Sequence, residues 1–176
     1  MHWTSAACGI CLLYTSLVHT LLEMSNLQSV SRTDQIALAP LVEEILTDLT
    51  SLAQKNNISL QQDCAELGMV GSDALIYRLV FNLVENGIKY NRPGGAVRVT
   101  LRQERQNAVL RVADTGPGIP ADCRESIFQP FFRVDKSRSR EMGGVGLGLA
   151  LVREIAVLHG GGVTVELSLI HISLEK

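Results

Sequence analysis

The sequence predicts an α/β domain, because stretches with the spacing of amphipathic helices alternate with shorter stretches typical of strands. The strongest helical stretch follows Ser72, and its apolar residues are Leu75, Ile76, Leu79, Val80, Leu83 and Val84. The strongest strand signal is a hairpin: residues 97–101 alternate apolar and polar, and residues 108–113 return after a turn. A chain of 176 residues, 46% of them hydrophobic, can bury the core of one such domain and carry further segments.

The composition excludes several classes of protein. A formal charge of −2 leaves no basic patch of the size that nucleic-acid binding needs. No apolar run approaches the roughly 18 residues of a membrane-spanning helix. Residues 6–18 are too short and too polar for one, and they lack the basic start of a signal peptide. Cys8 and Cys11 form a CxxC without a preceding strand or a second pair, so we expect neither a zinc nor a redox role, and a cytoplasmic setting.

The other elements follow from the same periodicities. Before the central helix, we predict an amphipathic helix over residues 17–32, a short strand over 33–38, a helix from Pro40 to Asn56, and a strand over 58–63. After the hairpin, a helix begins at the glycine cluster and ends near Gly160, and residues 163–167 form the last strand. Residues 1–16 have no clear periodicity and receive no assignment.

Polar residues line one edge of the central helix. At roughly 100° per residue, Asn82, Asn86 and Lys89 fall within about 60° of one another beside the apolar stripe. Neutral oxygens suit Mg²⁺, and a lysine suits phosphate. Taken by itself, the stretch is also compatible with an ordinary polar helix edge.

Asp114 follows the second hairpin strand in phase with Leu110 and Val112. If the strand continues, the carboxylate faces the buried side of the sheet, where an ionised group is costly unless something donates to it. Asp114 is therefore a candidate functional residue. The chain then turns sharply through residues 115–118.

The long segment over residues 120–144 exceeds the about 12–15 residues of an ordinary loop, and such loops are usually functional or disordered. The glycine cluster after it opens a helix, which suits phosphate binding. It is not a Walker loop, since no Gly-Lys-Ser/Thr follows, and it does not fit the dinucleotide fingerprint. A flexible hinge is the alternative.

Four motifs occur in the order NLVENGIKYN, DTGPGI, FQPFFRVDKSRS and GGVGLGLALV. This order strongly resembles the ATP-binding domain of bacterial sensor histidine kinases, where the motifs are the N box, the first glycine box, the F box and the second glycine box. The resemblance covers residues 34–167 and extends to the gyrase, chaperone and mismatch-repair ATPases. It implies their Bergerat-type fold, a two-layer α+β sandwich in which helices cover one face of a mixed, mostly antiparallel sheet.

The resemblance implies that the chain binds ATP with Mg²⁺. Asn86 then looks like the Mg²⁺ ligand, and Asn82 assists one turn earlier. Lys89 should touch phosphate, and Tyr90 should pack near the base. Asp114 should accept a hydrogen bond from the adenine amino group, which would supply the donor that its buried position requires.

The remaining site residues also come from the resemblance. Gly116 and Gly118 should keep the backbone close to the base. The segment between the glycine boxes resembles the ATP lid, with Arg133, Lys136 and Arg138 as phosphate candidates. The triphosphate should meet the helix start at Gly144, Gly146, Leu147 and Gly148. For Phe128, Phe131 and Phe132, lid anchoring or gating and plain core packing both remain open.

Both ends of the chain depart from the family pattern. None of His2, His19, His159 and His171 has the context of a phosphoacceptor histidine. Residues 17–32 resemble the end of the second dimerisation helix, and residues 33–167 the ATP-binding domain. Residues 168–176 do not match the family's final strand and are an unassigned tail. A foreign origin of residues 1–16 and of this tail is our hypothesis.

We therefore expect the ATP-binding catalytic module of a two-component histidine kinase. Its partners are a histidine-bearing dimerisation domain, largely missing from this chain, and a response regulator, and its parent is a membrane-associated homodimer. One alternative is an ATP-binding interaction module without phosphotransfer. A hydrolytic ATPase is a further alternative, but those relatives place an acid where this chain has Asn82.

Overall fold

A computed structural model of the chain describes residues 27–134, 145–166 and 169–175. Four α-helices are described: α1 (Leu38–Asp48), α2 (Thr50–Lys55), α3 (Asp73–Lys89) and α4 (Gly148–Leu158). The strands are β1 (Asp34–Ala37), β2 (Ser59–Cys64), β3 (Gly68–Gly71), β4 (Ala96–Glu104), β5 (Asn107–Asp114), β6 (Gly162–Glu166) and β7 (Leu169–Glu175). Three short 3₁₀ turns are Leu27–Ser29, Ala121–Cys123 and Ser126–Phe128.

The main sheet has five strands in the order β2–β4–β5–β7–β6. Strands β2 and β4 are parallel, because α3 crosses between them, and the other neighbours are antiparallel. Strands β1 and β3 form a separate antiparallel pair. The predicted fold class, a mixed and mostly antiparallel sheet with helices, is confirmed.

The register of the hairpin decides which face of the sheet the helices cover. Val99 lies opposite Val112, and Leu101 lies opposite Leu110, so their apolar side chains share one face. The apolar stripe of α3 and one side of α4 pack in the same core; its fully buried members include Ile76, Leu79, Val84, Leu151 and Ile155. The opposite face carries Arg98, Arg102 and Arg111, which bond Gln61, Asp63 and Glu104 in turn. One apolar and one charged face explain the two-layer architecture.

Two predictions in the first half of the domain need correction. The single helix predicted from Pro40 to Asn56 is divided at Leu49, and it starts earlier, at Leu38. Thr47 and Thr50 each bond a carbonyl one turn back, at 2.9 and 2.8 Å, and such bonds tend to bend helices. Residues 68–71, for which the sequence predicts no element, form strand β3, in which Met69 pairs with Ile36 of β1 and both are buried.

The prediction that residues 163–167 form the last strand is wrong. Strand β7 follows and lies between β5 and β6, so the segment without an assignment forms an interior strand. Ile172 and Leu174 alternate with polar residues and are buried in the core. This strand pattern was overlooked because residues 168–176 do not match the family's final strand. Gly161 permits the close approach, since a Cβ there would lie 1.9 Å from the Ser173 carbonyl oxygen.

Several sequence predictions fall outside the described residues: those on residues 1–16, Cys8, Cys11, His19, Lys136, Arg138 and Gly144. Of the helix predicted over residues 17–32, the described part contains the turn Leu27–Ser29. Across the described ranges, no helix combines the length and the apolar character needed to cross a membrane. The division of the chain into residues 1–16, a dimerisation-helix remnant over 17–32, an ATP-binding domain over 33–167 and a tail over 168–176 stays a prediction.

Candidate functional site

The start of α4 lies directly against the asparagine edge of α3. A Cβ at Gly148 would be 2.9 Å from Asn82 Oδ1 and 3.9 Å from Asn86 Nδ2. Asn82 Nδ2 donates to the Arg78 carbonyl at 2.7 Å, which directs its Oδ1 toward Gly148. The fold thus brings together the asparagines and the glycine cluster, two motifs that are about 60 residues apart in the sequence.

The first turn of α4 offers backbone donors. Its N-cap residue is Leu147, and the described residues provide no side-chain capping bond there. The first N–H groups of a helix have no partner within the helix, so they are available to an anion. Leu147 itself is buried, which anchors this end of the helix in the core.

Gly146 joins α4 to the preceding segment. Its φ of +80° lies in the left-handed region that favours glycine, and a Cβ would be 2.8 Å from the Phe132 carbonyl oxygen. The Phe131 N–H donates to the Gly146 carbonyl at 2.8 Å. The two sides of the predicted lid are therefore bonded to each other at its base.

Asp114 ends β5 opposite Val97 and faces α3, as its strand phase predicts. The helix comes close here, since a Cβ at Gly87 would lie 3.7 Å from the Asp114 Cβ. Burial raises the pKa of Asp114, and a hydrogen bond from the Gly116 N–H to Oδ1, at 2.7 Å, opposes this shift. Within the described residues, Oδ2 makes no protein hydrogen bond and can accept one from a ligand.

Three residues near Asp114 were missed at the level of sequence. Gly87 costs helix propensity of about 1 kcal/mol relative to alanine, and that cost was a signal of close packing. Asn91 is buried, and Thr115 donates its hydroxyl to Asn91 Oδ1 at 3.1 Å. No local pattern could have paired Asn91 and Thr115, because they lie on different segments.

The structure places Lys89 and Tyr90 at the end of α3. Lys89 Nζ forms an ion pair with Glu85 Oε1 at 2.7 Å, so its ammonium is engaged within the helix. Tyr90 is the C-terminal cap residue of α3, and its side chain is 39% exposed. Gly118 adopts a φ of +76°, which continues the sharp turn after Asp114.

The three phenylalanines of the F box differ in their surroundings. Phe128 is buried with Ile127, and the turn Ser126–Phe128 packs on α4, so this part of the segment is anchored. Phe131 is 55% exposed and has a φ of 65°. Arg133 Nε and Nη2 are buried without a hydrogen-bond partner among the described residues. Core packing therefore explains Phe128 but not Phe131.

Comparison with known proteins gives the same picture. The family described as "Histidine kinase-, DNA gyrase B-, and HSP90-like ATPase" matches residues 71–174. The sensor histidine kinase RppB of Synechocystis sp. is 39% identical over 160 residues, which are 88% of this chain and 35% of that protein. The chain thus spans about a third of that curated relative.

Two solved structures extend the comparison. The mycobacterial sensor histidine kinase MprB has a TM-score of 0.72 and 28% identity, covering 81% of this chain and 97% of that chain. Histidine kinase ThkA in complex with response regulator protein TrrA has a TM-score of 0.74 over 99% of this chain and 52% of that chain. At 22% identity, the second likeness supports the fold alone. The chain belongs to the histidine kinase-, DNA gyrase B-, and HSP90-like ATPase family, and it is an ATP-binding catalytic domain of the sensor histidine kinase type.

Proposed function

We propose that this chain binds ATP with Mg²⁺ and serves as the catalytic module that transfers the γ-phosphoryl group to a histidine of a dimerisation domain. The observation that carries the proposal is the convergence of the α3 asparagines with the glycine at the start of α4, where Gly148 leaves room for Asn82 and Asn86. Asp114, at the end of β5, lies beside Gly87, which is farther along α3. The site therefore has a phosphate end (Asn82, Asn86 and the start of α4) and a base end (Asn91, Asp114, Thr115 and Gly116).

At the base end, Asp114 accepts the hydrogen bond of the adenine amino group through the oxygen that Gly116 does not occupy. Gly116 keeps the backbone close, since a Cβ there would be 2.7 Å from Asp114 Oδ1 and 2.9 Å from the Tyr90 carbonyl oxygen. Tyr90 packs near the base, and Gly118 turns the chain away. A partly buried acceptor with one free oxygen suits an exocyclic amino group.

At the phosphate end, the donor set suits Mg²⁺. Asn82 directs its Oδ1 toward the start of α4, and Asn86, whose Nδ2 is the atom nearest Gly148, supplies a second amide oxygen for the ion. Bound there, the ion would neutralise phosphate charge. Gly146, Leu147 and Gly148 hold the triphosphate at the helix start, and Gly144, which lies outside the described residues, is a further candidate for this role.

The cations proposed to contact the phosphates differ in the partners that they have in the structure. Lys89 exchanges Glu85 for a phosphate oxygen. Arg133 has a guanidinium whose buried Nε and Nη2 atoms lack partners in the described part of the chain, which supports a role toward an anion. Lys136 and Arg138, which lie outside the described residues, are further phosphate candidates.

The partners follow from the kind of relative. RppB is named as a sensor histidine kinase, and ThkA was solved with a response regulator. We propose that a dimerisation domain presents the acceptor histidine and that a response regulator takes the phosphoryl group from it. The full-length parent is then a membrane-associated homodimer with this module in the cytoplasm.

A transfer assay tests the function. The chain is incubated with Mg²⁺ and γ-labelled ATP, alone and with a separately made dimerisation domain carrying the acceptor histidine. Acid-labile label should appear on that domain, weakly, because the linkage that raises the effective concentration is absent. A dimerisation domain with glutamine in place of the acceptor is the matched control.

The chain alone should remain unlabelled, since none of its histidines has the context of an acceptor. Label that appears on the isolated chain and disappears in His19→Gln would contradict this part of the proposal. ATP binding without transfer to any dimerisation domain would instead favour a regulatory module.

A further inference from the structure

Asn91 is one of three polar residues that are buried among the described residues, the others being Ser72 and His159. It is 6% exposed, and both polar atoms of its carboxamide are hydrogen-bonded. Nδ2 donates to the Ala96 carbonyl at 3.0 Å, and Oδ1 accepts from the Arg92 N–H at 2.9 Å and from the Thr115 hydroxyl at 3.1 Å. A buried amide whose oxygen and nitrogen are both bonded to neighbouring segments favours one arrangement of those segments.

Thr115 closes this arrangement into a network. Its hydroxyl accepts from the Ala96 N–H at 2.9 Å while it donates to Asn91, and its own N–H donates to the Ala96 carbonyl at 3.1 Å. The space is tight, since a Cβ at Gly95 would be 2.4 Å from Asn91 Oδ1 and 2.5 Å from Thr115 Oγ1. Three segments are joined: the end of α3, the start of β4 and the residue after β5.

The position of Thr115 connects this network to ligand recognition. Thr115 directly follows Asp114, and the next residue, Gly116, bonds the Asp114 carboxylate. Displacement of Thr115 would therefore move both the Asp114 backbone and the N–H that orients its side chain. Asn91 in turn follows Tyr90, whose carbonyl lies against Gly116.

We infer that Asn91 and Thr115 are positioning residues for adenine recognition: they hold the Asp114 carboxylate at the place and angle that reads the exocyclic amino group. The inference rests on the proposed role of Asp114 and assigns the precision of that carboxylate to a network of bonds among protein groups. A loosened network lets the carboxylate move, and the hydrogen bond to the amino group is lost while stacking and phosphate contacts remain.

The test compares ATP with its 6-deamino analogue, purine riboside triphosphate, which lacks the amino group that Asp114 reads. Calorimetry gives both dissociation constants for the native chain, Thr115→Val and Thr115→Ser. Valine has the shape of threonine but no hydroxyl, and serine keeps the hydroxyl. Loss of one hydrogen bond is worth about tenfold in affinity, so Thr115→Val should bind ATP about tenfold more weakly and the analogue within about twofold of native.

Thr115→Ser should restore ATP affinity to within about twofold of native. Asn91→Ser, which removes the other half of the network, should also reduce the preference for ATP over the analogue, and it serves if the valine variant does not fold. Equal losses for ATP and the analogue would show a merely structural role and overturn the inference. Unchanged discrimination in both Thr115→Val and Asn91→Ser would overturn it as well.

An Asp114→Asn arm separates this inference from the proposed function. If that variant keeps the native preference for ATP over the analogue, Asp114 is not the adenine acceptor and the site assignment itself is wrong. If Asp114→Asn loses the preference but both network variants keep it, the site assignment stands and only the positioning role fails.

Discussion

The base end and the phosphate end of the site use their polar groups differently. At the base end, the Thr115 hydroxyl donates a hydrogen bond to Asn91, and the Asp114 carboxylate already accepts one from the Gly116 N–H. At the phosphate end, Asn82 bonds a carbonyl of its own helix, and the first turn of α4 has no side-chain cap within the described residues. The base end is thus assembled before ligand binding, whereas the phosphate end presents open donors and acceptors.

This difference has a physical reason. An adenine amino group is a neutral hydrogen-bond donor, so its recognition depends on an acceptor held in a fixed place. A triphosphate with Mg²⁺ carries high charge, and its field orders flexible donors such as a helix start and long cations. The comparison therefore predicts that base-end variants change the selectivity for ATP over its 6-deamino analogue. Phosphate-end variants should instead change the Mg²⁺ dependence of ATP binding and the protection of the α4 amides by ligand.

The largest effect should come from Asp114→Asn. Its Oδ1 would still accept the Gly116 N–H, so the amide nitrogen would face the adenine amino group as donor against donor. An unsatisfied buried donor costs about 1–3 kcal/mol, so ATP affinity should fall up to about 100-fold. Calorimetry with the native chain as reference measures this. An unchanged ATP affinity would remove Asp114 from the site.

The same variant should gain stability without nucleotide. Burial raises the pKa of Asp114 in the folded protein, so the ionised group is held at a cost to stability, and this cost disappears as the pH falls through the folded pKa toward 3.8. At pH 7, Asp114→Asn should therefore melt at a higher temperature than the native chain. The difference should shrink on acidification. A native chain that is the more stable at pH 7 would contradict this account of the carboxylate.

Hydrogen exchange tests the contrast directly. A non-hydrolysable ATP analogue at 100 times its dissociation constant should slow exchange of the first α4 amides, Gly148 and Leu149, by up to about 100-fold. The Ala96 and Thr115 amides, which already donate hydrogen bonds, should be protected without ligand. Fast exchange of these two amides in the free protein would show that the base end is not assembled in advance.

Asn86→Ala should affect metal dependence more than base recognition. Loss of one amide ligand should weaken ATP binding in the presence of Mg²⁺ by about tenfold, as for the loss of a hydrogen bond to a charged group. In EDTA, the variant and the native chain should bind ATP alike. If Asn86→Ala binds ATP with native affinity in the presence of Mg²⁺, the prediction is wrong.

The smallest effect should come from Glu85→Gln, which frees Lys89 from its ion pair. Partly exposed pairs are worth about 0–1 kcal/mol, so ATP affinity should rise about twofold. Glu43→Gln, an exposed position on α1, is the control for the change in net charge. A fall in ATP affinity with Glu85→Gln would show that the carboxylate positions Lys89 rather than competing with phosphate.

The parts of the fold that the sequence predicted are those with strong local periodicity. The apolar stripe of α3 and the alternation of β4 each identify an element and its buried face. Strand β3 has no such signal, because its four residues include two glycines, and it exists through pairing with β1. Strand β7 has the alternation, but it was not predicted because its sequence does not match the family's final strand.

Three features of the site are predicted from the sequence alone: the order of the four motifs, the asparagine edge of α3, and the phase that turns Asp114 toward the core. The contact of Gly148 with Asn82, the ion pair of Lys89 with Glu85, and the network of Asn91 and Thr115 become visible in the folded chain. The reason is physical. Periodicity along a chain records which side of an element is buried, whereas hydrogen bonds between distant segments depend on how packed elements are placed relative to one another.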